Sequence, residues 1–506
     1  MIHIIGGGLA GSEAAWQAAS LGVRVVIHEM RPVRPTAVHK TDRLAELVCS
    51  NSFRGDKLDN AVGLLKEEMR RLGSVVMRAA DATRVPAGAA LAVDRHRFAD
   101  EVTRGVTSHP LVTIVREEVP HIPSDLDGPV IIATGPLTSD SLSRDIAELV
   151  GSDHLYFYDA ISPIVLAETI DQSKVFRASR WGRSLRGSQS TAAGSEDPAC
   201  QPRARSGHRR SAGSLDPAAL SGSSDAAGFP ACSVDDGEGD YLNCPLTADE
   251  YARFHEAVMS AERAALHEFD CAKFFEGCLP IEVMASRGVA TLRFGPMKPV
   301  GLVDPRTGRE PYAVVQLRQD TLAGDHFSLV GFQTQMKWGE QARVFKLIPG
   351  LENAEFVRFG MVHRNTYING PTILRDTWQT KARQDLFFAG QISGVEGYVE
   401  SAASGLIAGR NAAALVLGQP LRVPPRTTAI GALAFYVSHA SPRNYQPTNI
   451  TFGIMEPIHD RAPRGAKGPD GRRLGKREAR KIATSERALA DLEMWIGGVE
   501  AHAVEH

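Results

Sequence analysis

Apolar runs and glycines alternate through the first thirty residues. Ile2, Ile4 and Ile5 make a short apolar strand, Gly6-Gly7-Gly8-Leu9-Ala10-Gly11 follows, and an alanine-rich helix carries Ala14, Ala15, Ala18 and Leu21 up to Gly22. Val23, Val25, Val26 and Ile27 then form a second apolar strand ending at Glu29. Short apolar strands separated by a helix imply a parallel sheet. The spacing predicts amphipathic helices over 59–73 (Leu64, Leu65, Met69, Leu72) and 95–106, and a buried strand over 129–135. It also predicts a helix over 247–269, a strand, glycine loop and helix over 386–415, and a final helix over about 477–496. Residues 424–457, with Pro424-Pro425 and Pro442, read as loop-rich. No internal repeat is present.

One segment breaks the pattern. Residues 185–236 are rich in Ser, Ala, Gly, Pro and Arg and poor in large apolar residues. Such a composition cannot bury enough surface to offset its ordering entropy, so the segment reads as a low-complexity, disordered insert. The rest is ordinary for a globular chain, 43% hydrophobic and 23% charged over 506 residues, which suggests several domains. No apolar run approaches the ~18 residues that span a bilayer. The N-terminus enters a strand directly, without the basic and apolar regions of a secretory signal. Six scattered cysteines make no disulfide framework, so a reducing, cytoplasmic setting is expected.

The first chemistry is Gly6-x-Gly8-x-x-Gly11 between strand and helix. Gly6 permits the tight turn, Gly8 lets backbone approach a pyrophosphate, and Gly11 lets the helix pack close to the strand. Gly7, Leu9 and Ala10 complete the loop, and the helix N-terminus favours the anion. Glu29 lies 23 residues after Gly6, where an acid takes ribose hydroxyls. An acid suits FAD or NAD alike. The Ala133-Thr134-Gly135 strand end and the Phe388-Ala389-Gly390-Gln391 loop favour FAD, because two-dinucleotide flavoproteins return further glycine-bearing strand ends to the cofactor. The candidate cofactor residues are thus Gly6, Gly7, Gly8, Leu9, Ala10, Gly11, Glu29, Thr134, Gly135, Gly390 and Gln391.

Cys49, in Leu47-Val48-Cys49-Ser50-Asn51-Ser52-Phe53-Arg54, and Cys278, in Phe275-Glu276-Gly277-Cys278-Leu279-Pro280, each lie near a basic residue or glycine turn that could activate a thiolate. Cys244 and Cys271 read as packing residues, and Cys200 and Cys232 fall in the insert. No Cys/His spacing suggests a metal, and no CxxC follows the glycine motif. Residues 461–481 carry nine Lys/Arg against Asp470 and Glu478. In a chain of net charge −2 this is either a phosphate-contacting patch or a solvated loop.

Taken together these blocks resemble the folate- and FAD-dependent tRNA (uracil-5-)-methyltransferases over almost the whole chain except 185–236. The resemblance rests on the glycine motif with Glu29-Met30-Arg31-Pro32, on Glu46-Leu47-Val48-Cys49-Ser50-Asn51-Ser52, and on Tyr241-Leu242-Asn243-Cys244-Pro245. The Cys278 block, Gln335-Met336-Lys337-Trp338-Gly339-Glu340-Gln341, Gly394-Val395-Glu396-Gly397-Tyr398 and Thr428–Gly453 extend it. A related family of FAD-dependent wobble-uridine modifiers shares the glycine motif and the Phe388–Gln391 block, but the two cysteine blocks point away from it. A small-molecule FAD oxidoreductase is the other alternative, and the basic 461–481 stretch argues against it.

The resemblance implies that reduced FAD carries the methylene of methylenetetrahydrofolate to C5 of the T-loop uridine (position 54) of tRNA, with NAD(P)H as reductant. It makes Cys49 and Cys278 the catalytic pair, Cys278 favoured as the nucleophile, and places Trp338 and Tyr398 near the flavin. The expected architecture is a Rossmann-like α/β FAD domain (1–160 and 346–440) of the two-dinucleotide type, interrupted by an α/β insertion domain (161–345) and followed by a C-terminal basic segment and helix (441–506). No membrane partner is expected.

Overall fold

The computed structural model describes residues 1–36, 38–124, 126–151, 155–160, 162–182, 239–264, 279–360, 362–458 and 475–503. The predicted insert, Cys278 and most of the 461–481 basic stretch lie outside them. The glycine-punctuated N-terminus forms strand β1 (Ile2–Ile5), helix α1 (Leu9–Ser20) and strand β2 (Val25–Glu29). These belong to a five-stranded sheet in the order Leu386–Phe388, Val130–Ile132, β1, β2, Val112–Arg116. Every pairing in it is parallel. Its three neighbouring strands Leu386–Phe388, Val130–Ile132 and β1 are buried throughout, as unbroken apolar runs in a parallel sheet should be. Ile5 and Phe388 both pair with Ile132, so Gly6, Ala133 and Ala389 leave the sheet at one edge. That register gathers three distant segments at a single point.

Helix α1 packs on the helix Tyr398–Val416. A side chain at Gly405 or Gly409 would overlap the backbone of Ala10 or Ala14. The alanines of α1 and these glycines let the two helix backbones touch beneath the glycine turn.

A second sheet is antiparallel, in the order Phe176–Ala178, Tyr241–Leu246, Ala313–Gln319, His326–Leu329, Ile164–Leu166, Phe356–Arg358. One face, including Leu242, Cys244, Val315, Leu317, Phe327 and Leu329, buries against Tyr251, Phe254, Val344 and Phe345 of flanking helices. The other face carries the buried polar residues Asn243, Gln316, Arg318 and Ser328. The paired strands Leu155–Ala160 and Val362–Tyr367 lie where the chain passes between the two cores.

The helices Ala61–Arg71 and Arg95–Thr107 stand where the apolar spacing puts them, and the helix Ala248–Ser260 ends in the described residues before 269. The loop-rich reading of 424–457 is corrected by the helix Ala429–His439. Its first turns are apolar on every side, so they carry no periodic signal, and its first two N–H groups donate to the buried Glu68 carboxylate at 2.7 and 2.9 Å. Among the described residues no helix is long and apolar enough to cross a membrane, and no cluster of His, Cys, Asp and Glu could hold a metal.

Candidate active site

At the edge where the three strands end, a cavity with about 1000 Å³ of empty space opens, including solvent at its mouth. Gly6, Gly8, Leu9, Ala10, Glu29, Thr134, Gly135, Gly390, Gln391 and Tyr398 line it. Gly6 holds φ +105°, and a Cβ there would stand 2.6 Å from the Ala133 carbonyl oxygen, a conformation glycine adopts without steric cost. Around Gly8 the space where a Cβ would stand is clear of protein atoms for 4 Å. Gly8 is also the residue before α1, whose first turn has no side-chain cap, so its N–H groups and dipole face the cavity. Gly390, at φ +78°, turns the third strand end inward beside Ala10.

Gly7 and Gly11 do not line the cavity; they build its wall. Gly7 donates its N–H to Glu29 Oε2 at 2.7 Å, and a side chain at Gly11 would overlap the Gly6 carbonyl. Glu29 Oε1 accepts the Arg31 N–H at 3.0 Å and its Nε at 2.8 Å. Burial opposes ionisation of this carboxyl, but Arg31 and the Gly7 N–H outweigh it and hold its pKa below the usual range. An ionised carboxylate has about four lone-pair sites; three hydrogen bonds leave capacity for a ligand hydroxyl.

Tyr398, the first residue of its helix, joins this cavity to Cys49. Its hydroxyl oxygen accepts the N–H of Cys49 at 2.8 Å and of Ser50 at 3.1 Å, and its ring lies against Phe53 at 5.8 Å between centroids. Burial, then the neighbouring Cys49, push the phenol pKa above its usual range, so the hydroxyl stays neutral.

Three arginines hold the rest of the Cys49 loop. Arg95 donates to the Leu47 carbonyl at 3.1 Å, Arg358 to the Val48 carbonyl at 2.6 Å, and Arg318 to Asn51 Oδ1 at 2.8 Å and Ser50 Oγ at 3.4 Å. Asp320 pairs with Arg95 at 2.8 Å. Cys49 interacts electrostatically with all three guanidinium groups. Arg318 and Arg358 come from the second sheet and Arg95 from the first core, so the thiol sits at the junction of the two.

Trp338 is not among the residues around the cavity. It begins the helix Trp338–Phe345 on the second core, 59% exposed, with its ring stacked on Phe359 at 6.2 Å. The expected contact with the cofactor cavity is therefore not made there, because this helix is anchored by Val344 and Phe345 in the other core. Cys278 lies outside the described residues, which resume at Leu279.

The family model described as Glucose inhibited division protein A matches residues 1–197 and 220–420. The methylenetetrahydrofolate--tRNA-(uracil-5-)-methyltransferase TrmFO of Anoxybacillus flavithermus is 54% identical over 459 residues, 91% of this chain and 93% of that protein. The enzyme of the same name from Bacillus subtilis is 53% identical over 457 residues, 90% and 92%. That from Geobacter sulfurreducens is 50% identical over 499 residues, 98% and 99%. The chain belongs to this methyltransferase family. In fold it is similar to Aquifex aeolicus GidA, with a TM-score of 0.62 at 17% identity over 97% of this chain and 73% of that one.

The cavity of this methyltransferase-family chain fits FAD on its own geometry. The clear space at Gly8, the uncapped start of α1 and the residual capacity of Glu29 suit a pyrophosphate and a ribose. Sequence reasoning missed other residues here. His39 and Glu46 line the same cavity; burial, then the Arg31 charge, hold the His39 pKa down at about 4. Arg31 and Glu46 stand inside family blocks and could have been singled out. Arg318 and Arg358 lie 267 or more residues from the Cys49-loop groups they bond, and no local pattern announces such pairings.

Proposed function

We propose that this chain forms 5-methyluridine in the T-loop of tRNA, in the cytoplasm, taking its carbon from methylenetetrahydrofolate and its electrons from NAD(P)H. The observation that carries this reading is Tyr398, which lines the dinucleotide cavity and whose hydroxyl accepts the backbone N–H of Cys49. FAD, when bound, supplies the carrier for the methylene group and the electrons. Gly6, Gly8, Leu9, Ala10, Thr134, Gly135, Gly390 and Gln391 would hold it, and Glu29 would orient its ribose.

C5 of uracil is a poor nucleophile until a thiolate adds at C6 and leaves an enolate-like carbon. Two cysteines serve this chemistry, and Cys49 is the one whose place and electrostatic surroundings the described residues set. Arg318, Arg358 and Arg95 surround the Cys49 loop with three positive charges, and Asp320 is paired with Arg95. Such surroundings favour the ionised thiol. On the family resemblance Cys278, outside the described residues, is the favoured nucleophile for the covalent attack. Cys49 is assigned proton transfer or protection of the loaded cofactor. The target base has to leave its stack to reach this junction. The parallel-sheet core then serves as the FAD domain and the antiparallel-sheet core as an insertion domain.

The test mixes purified protein, unmodified tRNA, methylenetetrahydrofolate and reduced nicotinamide, and reads nucleosides by mass spectrometry. 5-Methyluridine that vanishes without folate is the expected result. A flavin-loaded, tRNA-binding preparation that makes no 5-methyluridine refutes the reading.

A further inference from the structure

The segment after Cys49 takes a turn that the reaction chemistry above does not use. Arg54 holds a left-handed backbone, at φ +61°, which a non-glycine residue keeps only where its surroundings impose it. Lys66, fully buried on the helix Ala61–Arg71, imposes it here. Its amine donates to the carbonyl oxygens of Phe53 at 2.8 Å, Arg54 at 3.3 Å and Gly55 at 2.6 Å. An ammonium has three N–H donors and no acceptor, so one lysine gathers three successive carbonyls and bends the chain at Arg54. On the side toward Cys49, the Arg54 N–H donates to Ser52 Oγ at 3.1 Å and the Ser52 N–H to Ser50 Oγ at 3.0 Å. The run from the Cys49 loop to Arg54 is thus tied internally.

The Arg54 guanidinium carries this run to the helix Tyr398–Val416. It pairs with Glu400 Oε1 and donates to Asn449 Oδ1. Glu400 stands in the first turn of that helix, two residues after Tyr398, and is 0% exposed. Its Oε1 also accepts the Ile450 N–H at 3.0 Å, while its Oε2 has no hydrogen-bond partner among the described residues. A buried carboxylate is costly unless a cation faces it, and among the described residues Arg54 is the one ion-paired with it. The first helical turn therefore grips the same segment twice. Tyr398 holds the N–H groups of Cys49 and Ser50, and Glu400 holds Arg54. Arg54 is not among the residues around the dinucleotide cavity, so it acts through the segment that it anchors.

We propose that Arg54 is a positioning residue for Cys49. Its ion pair with Glu400 keeps the Cys49 segment in register with the helix turn that begins at Tyr398, and Lys66 sets the backbone that lets the pair form. The proposal rests on the part given to Cys49 in the methylating reading above. Buried ion pairs of this kind fix one arrangement because removing either partner strands the other charge, whereas removing both does not. That asymmetry separates the pair's role from the effect of any single substitution.

The test compares the full-length protein with Arg54→Gln, Arg54→Lys, Glu400→Gln and the double variant Arg54→Gln, Glu400→Gln. Two readouts are taken: kcat and KM for 5-methyluridine formation, and the rate of iodoacetamide labelling of Cys49 by peptide mass spectrometry. Labelling of Cys244, which is fully buried in the other core, reports general loosening. Arg54→Gln should lower kcat about 10- to 100-fold, the range for a lost hydrogen bond to a charged group, with KM for tRNA little changed. Cys49 labelling should accelerate while Cys244 stays as protected as in wild type. Arg54→Lys keeps the charge and should restore much of both, and it serves the same comparison if Arg54→Gln does not fold. In the double variant the two losses should fall short of multiplying, by about 2- to 150-fold, as for side chains in contact. Arg54→Gln with kcat and Cys49 labelling within about twofold of wild type overturns the proposal. So does faster labelling of Cys49 and Cys244 together, which makes the pair a general stabiliser, and so does a double variant whose losses multiply. Labelling needs no tRNA, so it still tests Arg54 if wild type forms no 5-methyluridine, the result that sinks the methylation reading instead.

Discussion

Tyr398→Phe removes one oxygen and keeps the ring. That oxygen is the acceptor for two backbone N–H groups, Cys49 at 2.8 Å and Ser50 at 3.1 Å. A hydrogen bond lost with its partner left behind costs about 1–3 kcal/mol when the orphan is buried, and about 0.5–1.5 kcal/mol net when it is not. Cys49 and Ser50 are half-buried, so water can reach one amide and the pair together should cost about 1–3 kcal/mol. That energy is local, because the flanking residues stay tied by Arg95, Arg358 and Arg318. It should therefore act mainly on how well the thiol is placed, and ~1.4 kcal/mol corresponds to a tenfold change. The expected outcome is a kcat for 5-methyluridine formation lowered by about 10- to 100-fold with KM for tRNA little changed. Flavin should be retained, since the ring still packs on Phe53. Iodoacetamide labelling of Cys49, followed by peptide mass spectrometry, should accelerate as the loop loosens. A Tyr398→Phe enzyme with wild-type kcat and wild-type Cys49 labelling would falsify the claim that this hydroxyl positions the thiol.

Four further outcomes are expected. Glu29→Gln keeps the size but loses the charge that faces Gly7 and Arg31, so flavin affinity should fall about 10- to 100-fold, measured by equilibrium dialysis of FAD; unchanged affinity would remove Glu29 from the site. Gly405→Val forces a side chain into the Ala10 backbone beneath the glycine turn, so thermal stability and flavin content should drop together, and a flavin-replete, wild-type Tm refutes the close-packing argument. His39 is held neutral to about pH 4 in the folded protein, whereas an unfolded histidine takes a proton near pH 6.5. The unfolded chain thus binds more protons between those values, stability falls as pH drops from about 6.5 to 4, and His39→Gln should flatten that part of a urea-denaturation pH series. Arg358→Met removes a cation and the bond to the Val48 carbonyl, so the pH profile of Cys49 alkylation should move to higher pH while Arg358→Lys partly restores it; an unmoved profile denies the guanidinium its role.

How much of this was legible beforehand depends on distance along the chain. Gly6, Gly8 and Glu29 could be read because the turn, the approach to the cavity and the strand end lie within one strand–helix–strand unit. The Gly135 and Gly390 segments were legible as further glycine-bearing strand ends, although only sheet register sets Gly6, Ala133 and Ala389 at one edge. The helix Ala429–His439 went unread because an evenly apolar helix has no moment to detect. Thr428 caps it locally through the Gly431 N–H, but its first two N–H groups are met by Glu68, more than 300 positions earlier.

Composition, apolar period and glycine placement by themselves determined the parallel α/β core, the dinucleotide turn and, through the ordered motif blocks, the family. These are local properties, set by backbone sterics and by which face of an element is apolar. Tertiary structure alone decided that Tyr398 and Arg318 would meet the Cys49 loop and that Trp338 would stand away from the cavity. The physical reason is that a side chain's electrostatic partners and exposure depend on packing between elements, and sequence spacing does not encode that packing.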